Sequence, residues 1–219
     1  MNGQITGSNS TASLIISYLT LRKAIGYLAV SFPFILVIGA YALNDDGLQN
    51  SISSYYYTNF TGDVFVGILF TIGFILFAYK GYESKDDIAG DFACLCVLCV
   101  ALFPTEPVNP PPDLNPLISI IHYCAAAFFF LTLIYFCLFL FVKGDVNPTP
   151  QKLKRNKIYI SCGITMLLCI TGIAVHALLS KFVNEGEPLI FGLLFWLETI
   201  CVVAFGVSWL VKGEAILKD

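Results

Sequence analysis

Six stretches of the chain are apolar for long enough to cross a bilayer, and short polar segments separate them. They are Ala24–Leu43, Phe60–Tyr79, Ile88–Pro104, Leu117–Val142, Ile158–Ser180 and Leu189–Val211. A spanning helix needs about 20 apolar residues, with a usual range of about 17–25. Inside hydrocarbon every backbone N–H and C=O must bond within its own segment, so each stretch is expected to be helical. The pattern predicts an all-α, polytopic transmembrane bundle of six spans, with residues 1–219 as a single domain. The third stretch is the shortest and contains Asp91, whereas the fourth is the longest and has room to tilt.

The polar segments differ in character. Residues 1–23 read as a cytoplasmic N-terminal segment, small and polar at first. Leu14–Leu21 then reads as an amphipathic run along the inner interface, with Ser10 or Thr11 as its cap. The first outer loop, Asn44–Asn59, carries Asp45-Asp46-Gly47, then Ser51-Ile52-Ser53-Ser54, then Tyr55-Tyr56-Tyr57. Three tyrosines ahead of a span read either as an interfacial aromatic belt or as the rim of a head-group pocket. Tyr27, Tyr79, Tyr159 and Trp209 fall where an inner belt would lie, and Tyr41 and Tyr123 where an outer one would. Lys80–Asp87 is short enough to make its flanking helices an antiparallel hairpin. In Thr105–Pro116, Pro110-Pro111-Pro112 favours a stiff polyproline strap. The inner loop Lys143–Lys157 is the most basic segment and suits contact with anionic lipid. Gly67, Gly73, Gly163, Gly172, Gly192 and Gly206 are expected to let helices approach closely.

Composition agrees with this reading. Hydrophobic residues make up 57% of the chain and charged ones 12%, against about a quarter charged in a soluble domain. A net charge of −3 without a basic, aromatic-rich patch argues against a nucleic-acid partner. Charge also sets the orientation. With the N-terminus inside, all of the 12 lysines and arginines except Lys181 fall on the inner side, which predicts both termini in the cytoplasm. The membrane would be a plasma membrane or a bacterial inner membrane. Ala40-Tyr41-Ala42 mimics a cleavage site, but the apolar run before it is too long for a signal peptide. All 8 cysteines fall within the six stretches, so no disulfide-stapled outer domain is expected. The sequon Asn59-Phe60-Thr61 abuts the second stretch and is expected to stay unmodified.

Ionisable groups inside spans are costly and therefore candidates for function. Here they are Asp63, Asp91, His122, His176 and Glu198. At a rise of about 1.5 Å per residue, His122 and His176 lie within about 8 Å of the outer ends of their spans, and Glu198 about 14 Å down, near the midplane. Asp63 opens the second stretch on the same side, and only Asp91 lies toward the inner end. Convergence of Asp63, His122, His176 and Glu198 would make an outward-opening polar pocket beneath Ser53, Ser54 and Tyr55, with His176 or His122 pairing Glu198. The same residues could instead hydrogen-bond helices together. As a metal site, Asp63, His122, His176 and Glu198 would be the donors and zinc the ion, though no local motif fixes such a geometry. No P-loop, dinucleotide glycine motif, G-x-S-x-G elbow or H-E-x-x-H is present.

Ser51-Ile52-Ser53-Ser54-Tyr55, followed by Asp63-Val64-Phe65-Val66-Gly67, resembles the first-loop pattern of the DRAM and Frag group of six-span proteins and its uncharacterised bacterial relatives. The resemblance covers about the first third of the chain and implies lipid handling or GPI-lipid remodelling. A partial likeness to the alkaline ceramidases and progestin-type receptors would place Ser54, Asp63, His122 and His176 in a zinc hydrolase. Those proteins have seven spans and an H-x-x-x-H pair, and this chain has neither. The expected function is binding or handling of a lipid or small amphiphile in the outer pocket. The alternatives are a zinc-dependent intramembrane lipid hydrolase and an oligomeric channel or pore-forming effector, and membrane lipids and a homo-oligomer are the expected partners.

Overall fold

The computed structural model describes residues 4–81, 83–107, 111–144, 147–183 and 188–218, with side chains from Tyr18 onward. Its helices are α1 (Gln4–Leu43), α2 (Phe60–Ala78), α3 (Ser84–Leu102), α4 (Pro116–Tyr135), α5 (Pro150–Val183) and α6 (Leu193–Lys212). A 3₁₀ turn, Ser53–Tyr57, lies between α1 and α2, and a π-turn, Phe136–Leu140, extends α4. No strand occurs among the described residues. Five of the helices are long and apolar enough to cross a membrane. The exception, α3, carries Lys85, Asp86, Asp87 and Asp91 in its first half.

Each helix packs on its neighbours in sequence, and α6 closes against α1. The outward faces carry large apolar side chains such as Ile38, Phe74 and Leu168, each more than half exposed. The interior is aromatic: Phe32 stacks on Phe65, and Phe205 meets both Phe129 and Trp209. The closing contact between α6 and α1 depends on Gly26 and Gly206. A Cβ on Gly206 would sit 2.9 Å from the Gly26 carbonyl oxygen and 2.9 Å from the Val30 nitrogen. Backbone therefore touches backbone at that crossing, which only a residue without a side chain permits.

Several sequence expectations change. α1 is one continuous helix of 40 residues, about 60 Å long and roughly twice the hydrocarbon thickness. The run Leu14–Leu21 is therefore the lower part of α1, not a separate interfacial segment capped at Ser10 or Thr11. Most of the basic stretch Lys143–Lys157 is likewise helical, because α5 starts at Pro150. α6 begins at Leu193, since Ile190–Gly192 turn first and Gly192 takes a left-handed φ of 73°. Pro111 starts a turn closed by Leu114 N–H donating to its carbonyl at 3.0 Å, so the second outer loop bends where a straight strap was expected; Pro110 lies outside the described residues. Tyr79, Tyr159 and Trp209 are buried in the bundle, not ranged along an inner belt, whereas Tyr27, Tyr41 and Tyr123 are exposed. Gly67 faces open space and packs against nothing within 4 Å.

Gly206→Ala should push α1 and α6 apart and destabilise the protein by about 1–3 kcal/mol, the usual cost of overpacking. Gly67→Ala should leave stability unchanged or slightly raised. Thermal unfolding in nanodiscs would check the pair; equal effects at the two positions would contradict the proposed role of the closing contact.

Candidate functional site: the docked first outer loop

α1 ends at Leu43, with Asn44 in the left-handed region at φ 53° and Asp45 N–H donating to the Ala40 carbonyl at 2.8 Å. This is a Schellman-type stop, and it turns the chain so that Asp45 faces the start of α2. The Asp45 carboxylate then accepts four hydrogen bonds: from Asn59 N–H at 2.8 Å, Asn59 Nδ2 at 3.2 Å, Thr61 N–H at 2.9 Å and Thr61 Oγ1 at 2.7 Å. α2 is thus capped by a residue of the preceding loop. The Thr61 amide, then the Thr61 hydroxyl and the Asn59 donors, hold the Asp45 carboxyl down at about 2 against the opposing effect of burial. Both polar ends of the sequon, Asn59 and Thr61, are engaged by this one side chain.

The loop next crosses to α6. Asn50 satisfies two amides of the α6 start: its side-chain oxygen accepts from Gly192 N–H at 3.1 Å and its carbonyl from Phe195 N–H at 2.8 Å. Glu198 answers from the helix, its Oε2 accepting from Ile52 N–H at 2.6 Å. This amide lies at the start of the 3₁₀ turn, so Glu198 caps that turn as Asp45 caps α2. Because α6 starts at Leu193, Glu198 lies about 7.5 Å down the helix instead of at the midplane. It pairs with loop backbone and not with a histidine.

His122 links α4, α3 and the loop. Its Nδ1 is 2.6 Å from the Phe103 carbonyl oxygen, which can only accept, so that nitrogen carries a proton. In the neutral ring Nε2 is then an acceptor, and the Ser53 hydroxyl donates to it over 3.2 Å. The imidazole is 2% exposed, and Ser53 is half-buried. Ser54 stands apart: its hydroxyl pairs with that of Ser51 at 2.7 Å, and its N–H donates to Ser51 Oγ at 3.0 Å. Tyr55 is fully buried against Phe195, with its hydroxyl donating to the Gly47 carbonyl at 3.0 Å. It plugs the loop and does not rim a pocket, and burial raises its phenol pKa, so that it remains a donor. Tyr57 ties the loop to the second outer loop through the Thr105 carbonyl.

Of the four groups predicted to converge in the pocket, the structure therefore joins two, His122 and Glu198, through Ile52-Ser53. Asp63 is exposed on the outer face of α2 and reaches neither. His176 is buried on α5, but neither ring nitrogen has a hydrogen-bond partner. Glu198 bonds the Ile52 amide of the loop and not His176. Asp63, His122, His176 and Glu198 form no metal cage, and among the described residues no three His, Cys, Asp or Glu side chains gather closely enough to hold an ion. Sequence reasoning missed Asp45 and Asn50, which carry no burial signal in an outer loop; only the Asp-Asp-Gly turn signature marked the place. Compared with known protein-family models, curated proteins and solved structures, the chain matches none.

Glu198→Leu should strand the Ile52 amide and cost about 1–3 kcal/mol. Glu198→Gln keeps an acceptor and should cost less. Hydrogen exchange of loop peptides would rise most in the leucine variant, and equal exchange in both would contradict the capping role. Asp45 gives a pH signature. Its folded pKa of about 2 lies below the ordinary value of 3.8, so its contribution is complete above about 3.8 and is lost as pH falls toward 2. Thermal unfolding should show that loss between those values in the wild type and not in Asp45→Asn.

Proposed function

We propose that this chain is a six-span membrane protein with both termini in the cytoplasm that binds a lipid or small amphiphile at the outer polar site beneath the first loop. The sixth span is α3. Its C-terminal end is tied to His122 and the outer loops through Phe103. Its start lies beside the opposite end of α4, where Glu83 pairs with Lys143 at 3.1 Å. α3 thus runs the same length as its neighbours despite its charges. The orientation rests on the basic residues, all but one of which would face inward. The observation that carries the binding reading is the Ser53–His122–Phe103 chain, a hydrogen-bonded polar group set among apolar helices and partly open to the outside. The resemblance of the Ser51–Tyr55 and Asp63–Gly67 segments to lipid-handling six-span proteins points the same way.

The same chain favours a second reading, acyl transfer. A serine hydroxyl donating to an imidazole whose other nitrogen is fixed by an acceptor is the arrangement that activates a nucleophile. Ser53 Oγ would attack an ester carbonyl as its proton passes to His122 Nε2. The imidazolium would return that proton to the departing alcohol, and water would release the acyl group by the reverse sequence.

Nanodisc-embedded protein treated with a photoactivatable phospholipid should crosslink within the first loop or the outer part of α4. A fluorophosphonate should label Ser53 in the wild type and not in Ser53→Ala, which should still crosslink lipid. Crosslinking without labelling would leave the binding reading and remove acyl transfer. Crosslinks confined to other surfaces would remove both. Cysteines placed at Gln49 and Lys154 should react with an impermeant reagent from opposite sides, and same-side reaction would overturn the topology.

A further inference from the structure

Between the antiparallel helices α3 and α4 an open groove of about 440 Å³ runs along the outside of the bundle. Each helix lines it with positions i, i+3, i+4 and i+7, a single stripe two turns long. Phe92 meets Phe128 at 6.1 Å and closes one end. Ala89 and Thr132, both buried, make the floor. The Thr132 hydroxyl donates to the Phe128 carbonyl of its own helix at 2.7 Å, so the polar side chain of the floor is already satisfied. Ile88 and Leu131 stand as exposed apolar walls. Seven residues before Phe92 and seven after Phe128, Lys85 and Tyr135 face each other across the mouth. That mouth lies at the end of the bundle away from the first loop.

The groove is apolar along its length and cationic at its mouth. Seven residues of helix make it about 10 Å long. One leaflet's share of a hydrocarbon core of about 30 Å is about 15 Å, so the groove lies within a single leaflet. Lys85 is exposed, and among the described residues it enters no ion pair. The carboxylates beside it are engaged: Glu83 with Lys143 at 3.1 Å, Asp87 with Lys80 at 3.7 Å, and Asp86 with the Glu83 N–H at 2.9 Å. Asp91, exposed further along α3, does not line the groove. A lysine ammonium and a tyrosine ring are the side chains suited to head-group depth.

We propose that the groove between α3 and α4 seats one acyl chain of an anionic phospholipid, with Lys85 beside its head group, Ala89 and Thr132 under the chain, and the Phe92–Phe128 pair as the stop. This rests on the reading of α3 as a span. It does not depend on the outer polar site, which lies at the opposite end of both helices.

Phosphatidylcholine nanodiscs would carry a trace of phosphatidylglycerol or of phosphatidylcholine, each with the same diazirine-bearing acyl chain, and the crosslinked residues would be mapped. Labels at Ile88 and Leu131 should be about fivefold more frequent with the phosphatidylglycerol probe, the weight of one lysine beside an anionic lipid. Lys85→Gln, at an exposed position, should remove that preference while the protein stays folded. Ala89→Leu, which fills the floor, should remove groove labelling by both probes; if that variant does not fold, the lysine variant carries the test. Leu95 is exposed on α3 outside the groove and should be labelled equally by both probes in every variant. Labelled Leu95 with no head-group preference at the groove, or with a preference that Lys85→Gln leaves in place, overturns the lipid seat while α3 stands as a span. No label anywhere on α3 overturns the span and the groove together.

Discussion

The fold depends on how the backbone of the loop between α1 and α2 finds acceptors on the helices it is packed against. Ile52 N–H reaches Glu198 at 2.6 Å, and Asn50 returns two acceptors to the start of α6. This exchange fastens the loop to the last helix, while Asp45 fastens it to the second and His122 to the fourth. The outer ends of helices that share no short connection are thereby held in one arrangement. An ionised or polar side chain inside a span is costly, and Glu198 offsets that cost by accepting the Ile52 amide at the start of the 3₁₀ turn.

The contrast between the two ends follows from the same accounting of donors and acceptors. At the end that carries the first loop, Asp45, Asn50 and Glu198 each meet backbone amides. At the other end, cations are stacked on aromatic rings, and buried N–H groups remain without acceptors. Aromatic faces attract cations but do not replace a hydrogen-bond acceptor.

The helices were legible because the hydrophobic pattern in a membrane protein is long and coarse. Hydropathy alone placed α2, the upper part of α1 and most of α4, α5 and α6. It misplaced the start of α6, because Leu189, Ile190 and Phe191 are as apolar as helix and only Gly192 signals the turn. It also hid the lower half of α1, where small polar residues continue a helix that hydropathy cannot follow. Tyr79, Tyr159 and Trp209 were taken for a belt because sequence position gives depth but not azimuth; packing turned them inward. At the outer site, the cost of charge in lipid identified His122 and Glu198 but not their partners. Those partners are mostly backbone atoms, and a backbone amide has no identity in a sequence. Asp45 lay in a loop, where a carboxylate needs no explanation, and so gave no warning of its four hydrogen bonds.

The bond between Ile52 and Glu198 also has a consequence in time. Its two residues are 146 positions apart, so the ribosome releases the loop well before it makes the helix that receives it. Until α6 enters the membrane, the Ile52 amide must be served by water, and the loop is held by Asp45 at the start of α2, by His122 on α4 and by the Thr105 carbonyl. Completion of the last helix then draws the loop down and closes α6 onto α1 through Gly26 and Gly206. The loop surface therefore takes its final form only once α6 has been synthesised, which makes the docked loop a mark of a completed α6 as well as of folding.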